Sequence, residues 1–295
     1  MKASRCVVLF CLIGFLSAGM SWQDTEEKPL PDDIVLLEYR ALFPGEAVKI
    51  SINSLPIIKS VQVLFRGKTY EAPQKSDVFL CLIGLDLGMK EGIYPVTVRL
   101  HKEDRTVDEI KKEIYVKTKQ FPVKKLWVKE EFVTPPQSVS NRIREESELI
   151  GAVYDIHSPE WRIDGNFVLP VKGQMFFNFG EKRIYNNKPR SQHSGIDISS
   201  PTGTPVMASN AGRVVLANHL YFSGKTVIID HGLGVFSLYC HFSNISVEGG
   251  DEVEKGEMIG KIGATGRVTG PHLHWSIKIR GSRIDPNSLL SLNFK

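Results

Sequence analysis

Three short histidine motifs near the C-terminal end of the sequence contain residue types that bind metals. They are His193-Ser-Gly-Ile-Asp197, Tyr239-Cys-His241 and His272-Leu-His274. On a strand, His272 and His274 project from the same face with Cα atoms about 6 to 7 Å apart, so both imidazoles can serve one metal centre. His-x-His alone also fits two exposed histidines, and His-x-x-x-Asp alone occurs by accident in many chains.

The His193 motif can serve one ion only if the chain bends. Four extended residues span roughly 13 Å, too far for two bonds of about 2 Å to one ion. We therefore predict a bend at Ser194-Gly195, where glycine tolerates unusual backbone angles. Two histidines and one carboxylate form a three-ligand zinc set that leaves the fourth tetrahedral position open for water. Such a water loses its proton near neutral pH, so the motifs together predict hydrolysis, with the surplus histidines moving protons or stabilising an oxyanion.

Other catalytic arrangements find little support. The sequence contains neither a Gly-x-Ser-x-Gly elbow nor His-Glu-x-x-His. A Cys240-His241 pair is disfavoured because adjacent strand residues point to opposite faces. We expect His157, His219 and His231 to be structural or solvated, and His101 to be a solvated residue at a strand end.

Two regions of strand patterning surround one predicted helix. Residues 33–128 alternate apolar and polar positions, as at Val48, Ile50 and Ile52, which predicts an immunoglobulin-like antiparallel sandwich. Residues 135–156 have the spacing of an amphipathic helical connector, with Ser138 as a candidate cap. Residues 160–290 are rich in glycine and β-branched residues without a useful helical period, which predicts a second all-β domain.

The N-terminal end has the order of a secretory signal peptide: Lys2 and Arg5, an apolar run, then Ser17-Ala-Gly19. We predict cleavage after residue 19, so 1–19 is the signal and no stable membrane insertion follows; an uncleaved anchor is the alternative. Removing Lys2 and Arg5 lowers the net charge from +4 to +2, which gives no support for nucleic-acid binding. Only Cys81 and Cys240 then remain, and two buried thiols are expected rather than a disulfide.

Strings across residues 160–290 resemble the lysostaphin-type zinc metallopeptidases. The similarity includes Phe179-Gly180, the His193 motif, Tyr239-x-His241 and, most specifically, Thr265-Gly-Arg-Val-Thr-Gly-Pro-His-Leu-His-Trp275. The resemblance implies a groove-bearing antiparallel β core, Zn²⁺ as cofactor, and peptidoglycan peptide bonds as substrate. It also implies that His193, Asp197 and His274 bind the metal, and that His241 and His272 are catalytic, acting on the water and the oxyanion in an undecided division of roles.

The resemblance extends more weakly to the strand domain and the segment from Phe121-Pro122 to Pro136. We hypothesise that this region partly covers the groove. Together, the signal peptide and the resemblance predict an exported zinc endopeptidase that acts in the periplasm or the cell wall. An alternative is a catalytically inactive relative that activates a cell-wall amidase, and a third is a wall-binding module. The sequence indicates neither the scissile bond nor the oligomeric state.

Overall fold

The computed structural model describes residues 34–156 and 158–294, without the side chains of Arg190 and Ser191. The predicted signal peptide at residues 1–19, and His157, lie outside the described residues. Among the residues described, no helix combines the length and the apolar character needed to span a bilayer.

The first region is a sandwich of two four-stranded antiparallel sheets, with strand orders β1-β2-β6-β5 and β4-β3-β7-β8. Its strands are β1 (Val35–Tyr39), β2 (Ala47–Asn53), β3 (Ile58–Phe65), β4 (Lys68–Ala72), β5 (Gln74–Lys75), β6 (Val78–Gly84), β7 (Gly92–Lys102) and β8 (Val107–Val116). Val48, Ile50 and Ile52 are fully buried, as the period-two pattern predicts. The sandwich fold is therefore confirmed.

The predicted sandwich extends to residue 128, but the structure places the last strand of this range in a different sheet. Strand β9 (Val123–Leu126) pairs in parallel with β11 (Lys182–Tyr185), which pairs with β12 (Lys188–Gln192) in a three-stranded sheet. Side chains along this segment alternate between two faces. One face carries Lys124, Leu126 and Val128, and the other carries Val123 and Trp127, which are 61% and 70% exposed. One face of β9 is thus open to solvent.

The predicted connector is a 3-10 turn, Gln137–Val139, that continues into helix α1 (Ser140–Tyr154). The prediction that Ser138 caps this helix is wrong. Ser138 lies within the 3-10 turn, and the residue at the cap, Val139, already has helical angles and no side-chain cap bond. The apolar face of α1 packs on the C-terminal sheet, where Val153 joins a buried cluster with Leu216 and Phe236.

The C-terminal region is built on a ten-stranded antiparallel sheet with the order β10-β13-β20-β17-β16-β15-β18; β14 pairs with β19, β19 with β17, and β21 with β20. Its strands are β10 (Gln174–Phe176), β13 (Gly195–Ser199), β14 (Pro205–Met207), β15 (Gly212–Leu220), β16 (Gly224–Asp230), β17 (Val235–Ile245), β18 (Glu252–Val253), β19 (Met258–Ile262), β20 (His272–Ile279) and β21 (Ser282–Ile284). The predicted antiparallel β core is confirmed. The sheet places β13, β20 and β17 side by side, and these strands carry four of the five predicted site residues.

A short helix, α2 (Pro286–Leu290), follows the last strand. It was not predicted, because residues 160–290 show no useful helical period. The Asp285 side chain caps it by accepting from the backbone N–H of Asn287, and Pro286 occupies the first turn. Asp285 also accepts a hydrogen bond from Arg40 at 2.8 Å, which ties the sandwich to the C-terminal region. The described residues, 34–156 and 158–294, belong to one compact unit.

Candidate metal centre and groove

The side chains of His193, Asp197 and His274 converge on one point. Asp197 on β13 lies directly opposite His274 on β20 in the antiparallel register. Nε2 of His193 is 2.8 Å from Nδ1 of His274, and each of these nitrogens is 3.1 Å from Oδ1 of Asp197. Among the described residues, these three side chains form a cluster of His and Asp that could hold a metal ion.

The donor set and its spacing fit zinc. Two imidazole nitrogens and one carboxylate oxygen are ligand types that Zn²⁺ accepts. Neighbouring ligands of a tetrahedral zinc with bonds of about 2.0 Å lie about 3.3 Å apart, and the observed separations of 2.8 to 3.1 Å are slightly shorter. Small outward movements of the three side chains therefore suffice to admit the ion.

Asn178 orients two of these three residues. Its backbone carbonyl accepts a hydrogen bond from Nδ1 of His193 at 3.0 Å, which assigns the proton to Nδ1 and leaves Nε2 bare. Its side-chain amide donates to Oδ2 of Asp197 at 2.9 Å and accepts from the backbone N–H of Asp197 at 3.1 Å. Both ligands are thus fixed before any metal binds.

The electrostatics of the centre favour the protonation states that a metal requires. Burial favours the neutral acid at Asp197, but its contacts with His193 and His274 outweigh this and hold its pKa well below the usual range. Burial lowers the pKa of His274 to about 4, so its imidazole is neutral at pH 7. An ionised carboxylate beside a neutral imidazole is ready to bind a cation.

His241 and His272 lie beside this trio. Their ring centroids are 4.9 Å apart, and the His241 ring is 6.3 Å from that of His274. Nδ1 of His241 donates to the carbonyl of Thr265, and Nδ1 of His272 donates to that of Gly270, both at 2.8 Å. Each Nε2 is therefore left as an acceptor, and that of His272 is 3.7 Å from Oδ1 of Asp197.

A β-bulge aims His241 into the site. Cys240 and His241 together oppose Thr226, because the register of β16 and β17 shifts between Lys225 and Val227. His241 has φ of 70°, the left-handed region that non-glycine residues rarely adopt. Burial, with smaller contributions from the neighbouring His272 and His274, lowers the pKa of His241 to about 3.

The side chains of His193 and Asp197 do meet, at 3.1 Å, but the predicted reason for Gly195 is wrong. Its φ is not in the left-handed region. A Cβ there would lie 2.3 Å from the carbonyl oxygen of Trp275 and 2.9 Å from Cε1 of His274. Glycine is needed because β13 and β20 approach closely beside Asp197 and His274.

A groove of about 380 Å³ borders the centre at Asp197. It is lined by Lys124, Leu126 and Val128 from the β9 segment, by β11 residues, by Asp197, His241 and His272, and by the segment 267–271. The guanidinium of Arg267 stacks against Tyr185 of β11 at 4.7 Å and against Phe222 at 4.8 Å. The strand that precedes the helix is therefore part of the groove wall.

The histidines His231 and His219 and the two cysteines are not among the converging side chains. His231 is fully buried and bonds to the carbonyl of Ala211 and to Ser237, each at 2.7 Å. His219 is exposed. Cys81 and Cys240 are buried free thiols, as expected when only two cysteines follow the predicted signal peptide. Burial raises the pKa of Cys240 to about 12. A nucleophilic thiolate at Cys240 is thus disfavoured.

Sequence comparisons agree with this architecture. Residues 191–286 match the model of Peptidase family M23. Peptidoglycan DD-endopeptidase ShyA of Vibrio cholerae is 39% identical over 115 residues, covering 39% of this chain and 27% of that protein. DD-carboxypeptidase/endopeptidase Mpg of Neisseria meningitidis is 44% identical over 97 residues, covering 33% and 22%. The matches span about a quarter of the length of these curated relatives.

A solved structure resembles most of the chain. It is the crystal structure of an M23 peptidase candidate from Pseudomonas aeruginosa, 28% identical, with a TM-score of 0.65 over 85% of this chain and 95% of that one. This likeness extends well beyond residues 191–286. The family match and this likeness agree on the class of domain. Residues 191–286 form a Peptidase M23 domain, the domain of the lysostaphin-type family.

Proposed function

We propose that this protein is a zinc-dependent endopeptidase that hydrolyses peptide bonds in peptidoglycan outside the cytoplasm. The observation that carries the proposal is the convergence of His193, Asp197 and His274, whose ligand atoms lie within 3.1 Å of one another. Of these three residues, Asp197 lines an open groove. The relative ShyA is named as a peptidoglycan DD-endopeptidase, and Mpg as a DD-carboxypeptidase/endopeptidase, which supports the substrate class.

In this proposal His193, Asp197 and His274 hold the metal. Zinc bound there would lower the pKa of a coordinated water and polarise the scissile carbonyl. Nε2 of His241 and Nε2 of His272 are both acceptors in their neutral tautomers. Either can accept the proton of the attacking water, and the resulting imidazolium can then donate to the oxyanion or to the leaving amine.

The inactive-activator alternative is less well supported. A non-enzymatic role would be suggested if some metal ligands were replaced by residues that cannot bind a metal. In this chain, all five expected positions hold histidine or aspartate. The ligand side chains are also oriented by neighbouring groups such as Asn178.

The hypothesis that the region before the helix partly covers the groove takes a specific form. Strand β9 pairs with β11, and Leu126 and Val128 lie in the groove wall. We propose that this segment narrows access for large substrates. Tyr221, whose hydroxyl donates to the carbonyl of Glu131, helps to keep the following turn in place.

The function is tested by digestion of purified peptidoglycan, with the released fragments identified by mass spectrometry. We expect the native protein to release peptide-cleaved fragments, to stop when a chelator is added, and to resume when zinc is restored. Fragments released at an unchanged rate in excess chelator would contradict the proposal. Cleavage between sugars instead of within peptides would also exclude an endopeptidase.

A further inference from the structure

Arg183 of β11 contacts the one oxygen of Asp197 that faces away from the other ligands. Its Nη2 donates to Oδ2 of Asp197 at 2.6 Å, in a charge-assisted bond. Oδ1 of the same carboxylate lies 3.1 Å from both His193 and His274. The two carboxylate oxygens are thus divided between an arginine and the metal-binding nitrogens.

This division matters because a carboxylate can bind a metal through one oxygen or through both. Oδ2 already accepts from Arg183 and from the Asn178 amide. Occupied lone pairs and a neighbouring positive charge both keep Oδ2 from turning towards a cation. Asp197 can then supply Oδ1 alone, which preserves the open fourth position that catalysis needs.

Arg183 has its own charge partner. Oε2 of Glu181 lies 3.8 Å from Nε of Arg183, and both side chains are largely buried. Within the described residues, both atoms are buried without a hydrogen-bond partner. Glu181, Arg183 and Asp197 therefore form a row of alternating charges that leads to the metal ligands, and Glu181 compensates the guanidinium electrostatically.

We propose that Arg183 is a positioning residue that restricts Asp197 to one metal-facing oxygen, with Glu181 as its charge partner. The inference rests on the proposed zinc-dependent function. It predicts that the loss of Arg183 weakens metal binding and changes the coordination number, while the loss of Glu181 chiefly affects the burial of Arg183.

The test compares the full chain with Arg183→Ala, with the double variant Arg183→Ala/Glu181→Gln, and with Arg213→Ala as a matched control. Arg213 is an exposed arginine on β15 of the ten-stranded sheet, 4.0 Å from Glu252. Zinc affinity is measured by competition with a chromogenic chelator, coordination by the visible absorption of the Co²⁺ form, and folding by thermal unfolding without metal.

We expect Arg183→Ala to bind zinc roughly 10- to 100-fold more weakly, as is typical when a group that hydrogen-bonds to a metal ligand is removed. Its Co²⁺ absorption should lose intensity, because a second oxygen of Asp197 raises the coordination number above four. The double variant should regain thermal stability, since it no longer buries an unpaired carboxylate, without regaining zinc affinity. Arg213→Ala should match the parent.

Two results would overturn the positioning role. One is a zinc affinity and a Co²⁺ spectrum of Arg183→Ala equal to those of the parent. The other is recovery of both in the double variant, since this would show that Arg183 acts only on folding. Failure of the parent protein to bind zinc at all is a different result, because it would refute the proposed function itself.

Discussion

Replacing Gly195 with alanine should damage the proposed metal centre, although Gly195 is not itself one of the three proposed ligands. The added Cβ would lie 2.3 Å from the carbonyl oxygen of Trp275, whereas real Cβ atoms stay beyond 3.0 Å. Strands β13 and β20 must therefore separate by about 0.7 Å beside Asp197 and His274. Overpacking of this kind costs about 1 to 3 kcal/mol.

Two assays report the effect. Thermal unfolding of the metal-free protein should show a midpoint lower by roughly 3 to 10 °C, from the usual conversion for a chain of this size. Zinc affinity should fall by roughly 10-fold or more, because metal sites tolerate only about 0.2 Å of change in ligand distances.

Gly151→Ala is the matched control for the same substitution. Gly151 lies on the exposed face of α1 with nothing within 4 Å of the added Cβ, and alanine in a helix is favoured by about 1 kcal/mol. This variant should therefore be as stable as the parent or more so, with unchanged zinc affinity. The reasoning fails if Gly195→Ala retains both the stability and the zinc affinity of the parent.

Three further predictions concern separate parts of the molecule. His231→Gln should flatten the pH dependence of stability. Burial lowers the pKa of His231 in the folded state to about 4, from 6.5. Between these pH values the unfolded chain binds more protons than the folded one, so the stability decreases as the pH is lowered. The native protein should lose about 2 kcal/mol more than the variant between pH 7 and pH 5 in metal-free denaturant titrations, and parallel curves would exclude this role. His241→Ala should keep its zinc and lose peptidoglycan digestion, because His241 lies outside the ligand trio; zinc loss would show that the roles are misassigned. Leu126→Ala/Val128→Ala, which shortens two side chains in the groove wall, should speed digestion of intact peptidoglycan more than that of soluble fragments, and equal changes would argue against a covering role.

The local patterns of the sequence predict the strands and the shared strand face of His272 and His274. Val48, Ile50 and Ile52 alternate as a strand requires, and all three are buried. His272 and His274 lie on one strand, with Leu273 and Trp275 buried on its other face. Periodicity reports which face a side chain occupies, and this is enough to bring two imidazoles together.

Features that depend on pairing between distant segments could not be predicted in this way. The bulge that aims His241 arises from a register shift against β16, and the need for glycine at 195 arises from the approach of β20. Asn178 and Arg183 support Asp197 from positions that no spacing rule connects with it. The short helix α2 could have been found from its Asp285-Pro286 start signal.

The central claim is that one zinc ion is held by His193, Asp197 and His274, and elemental analysis of the purified full-length chain tests it most directly. We expect about one zinc per chain in the native protein and in His219→Ala, whose exposed histidine lies outside the trio. Almost none should remain in His274→Ala after dialysis. Zinc retained at full stoichiometry by His274→Ala, or a native protein that digests peptidoglycan without any bound metal, would contradict the account.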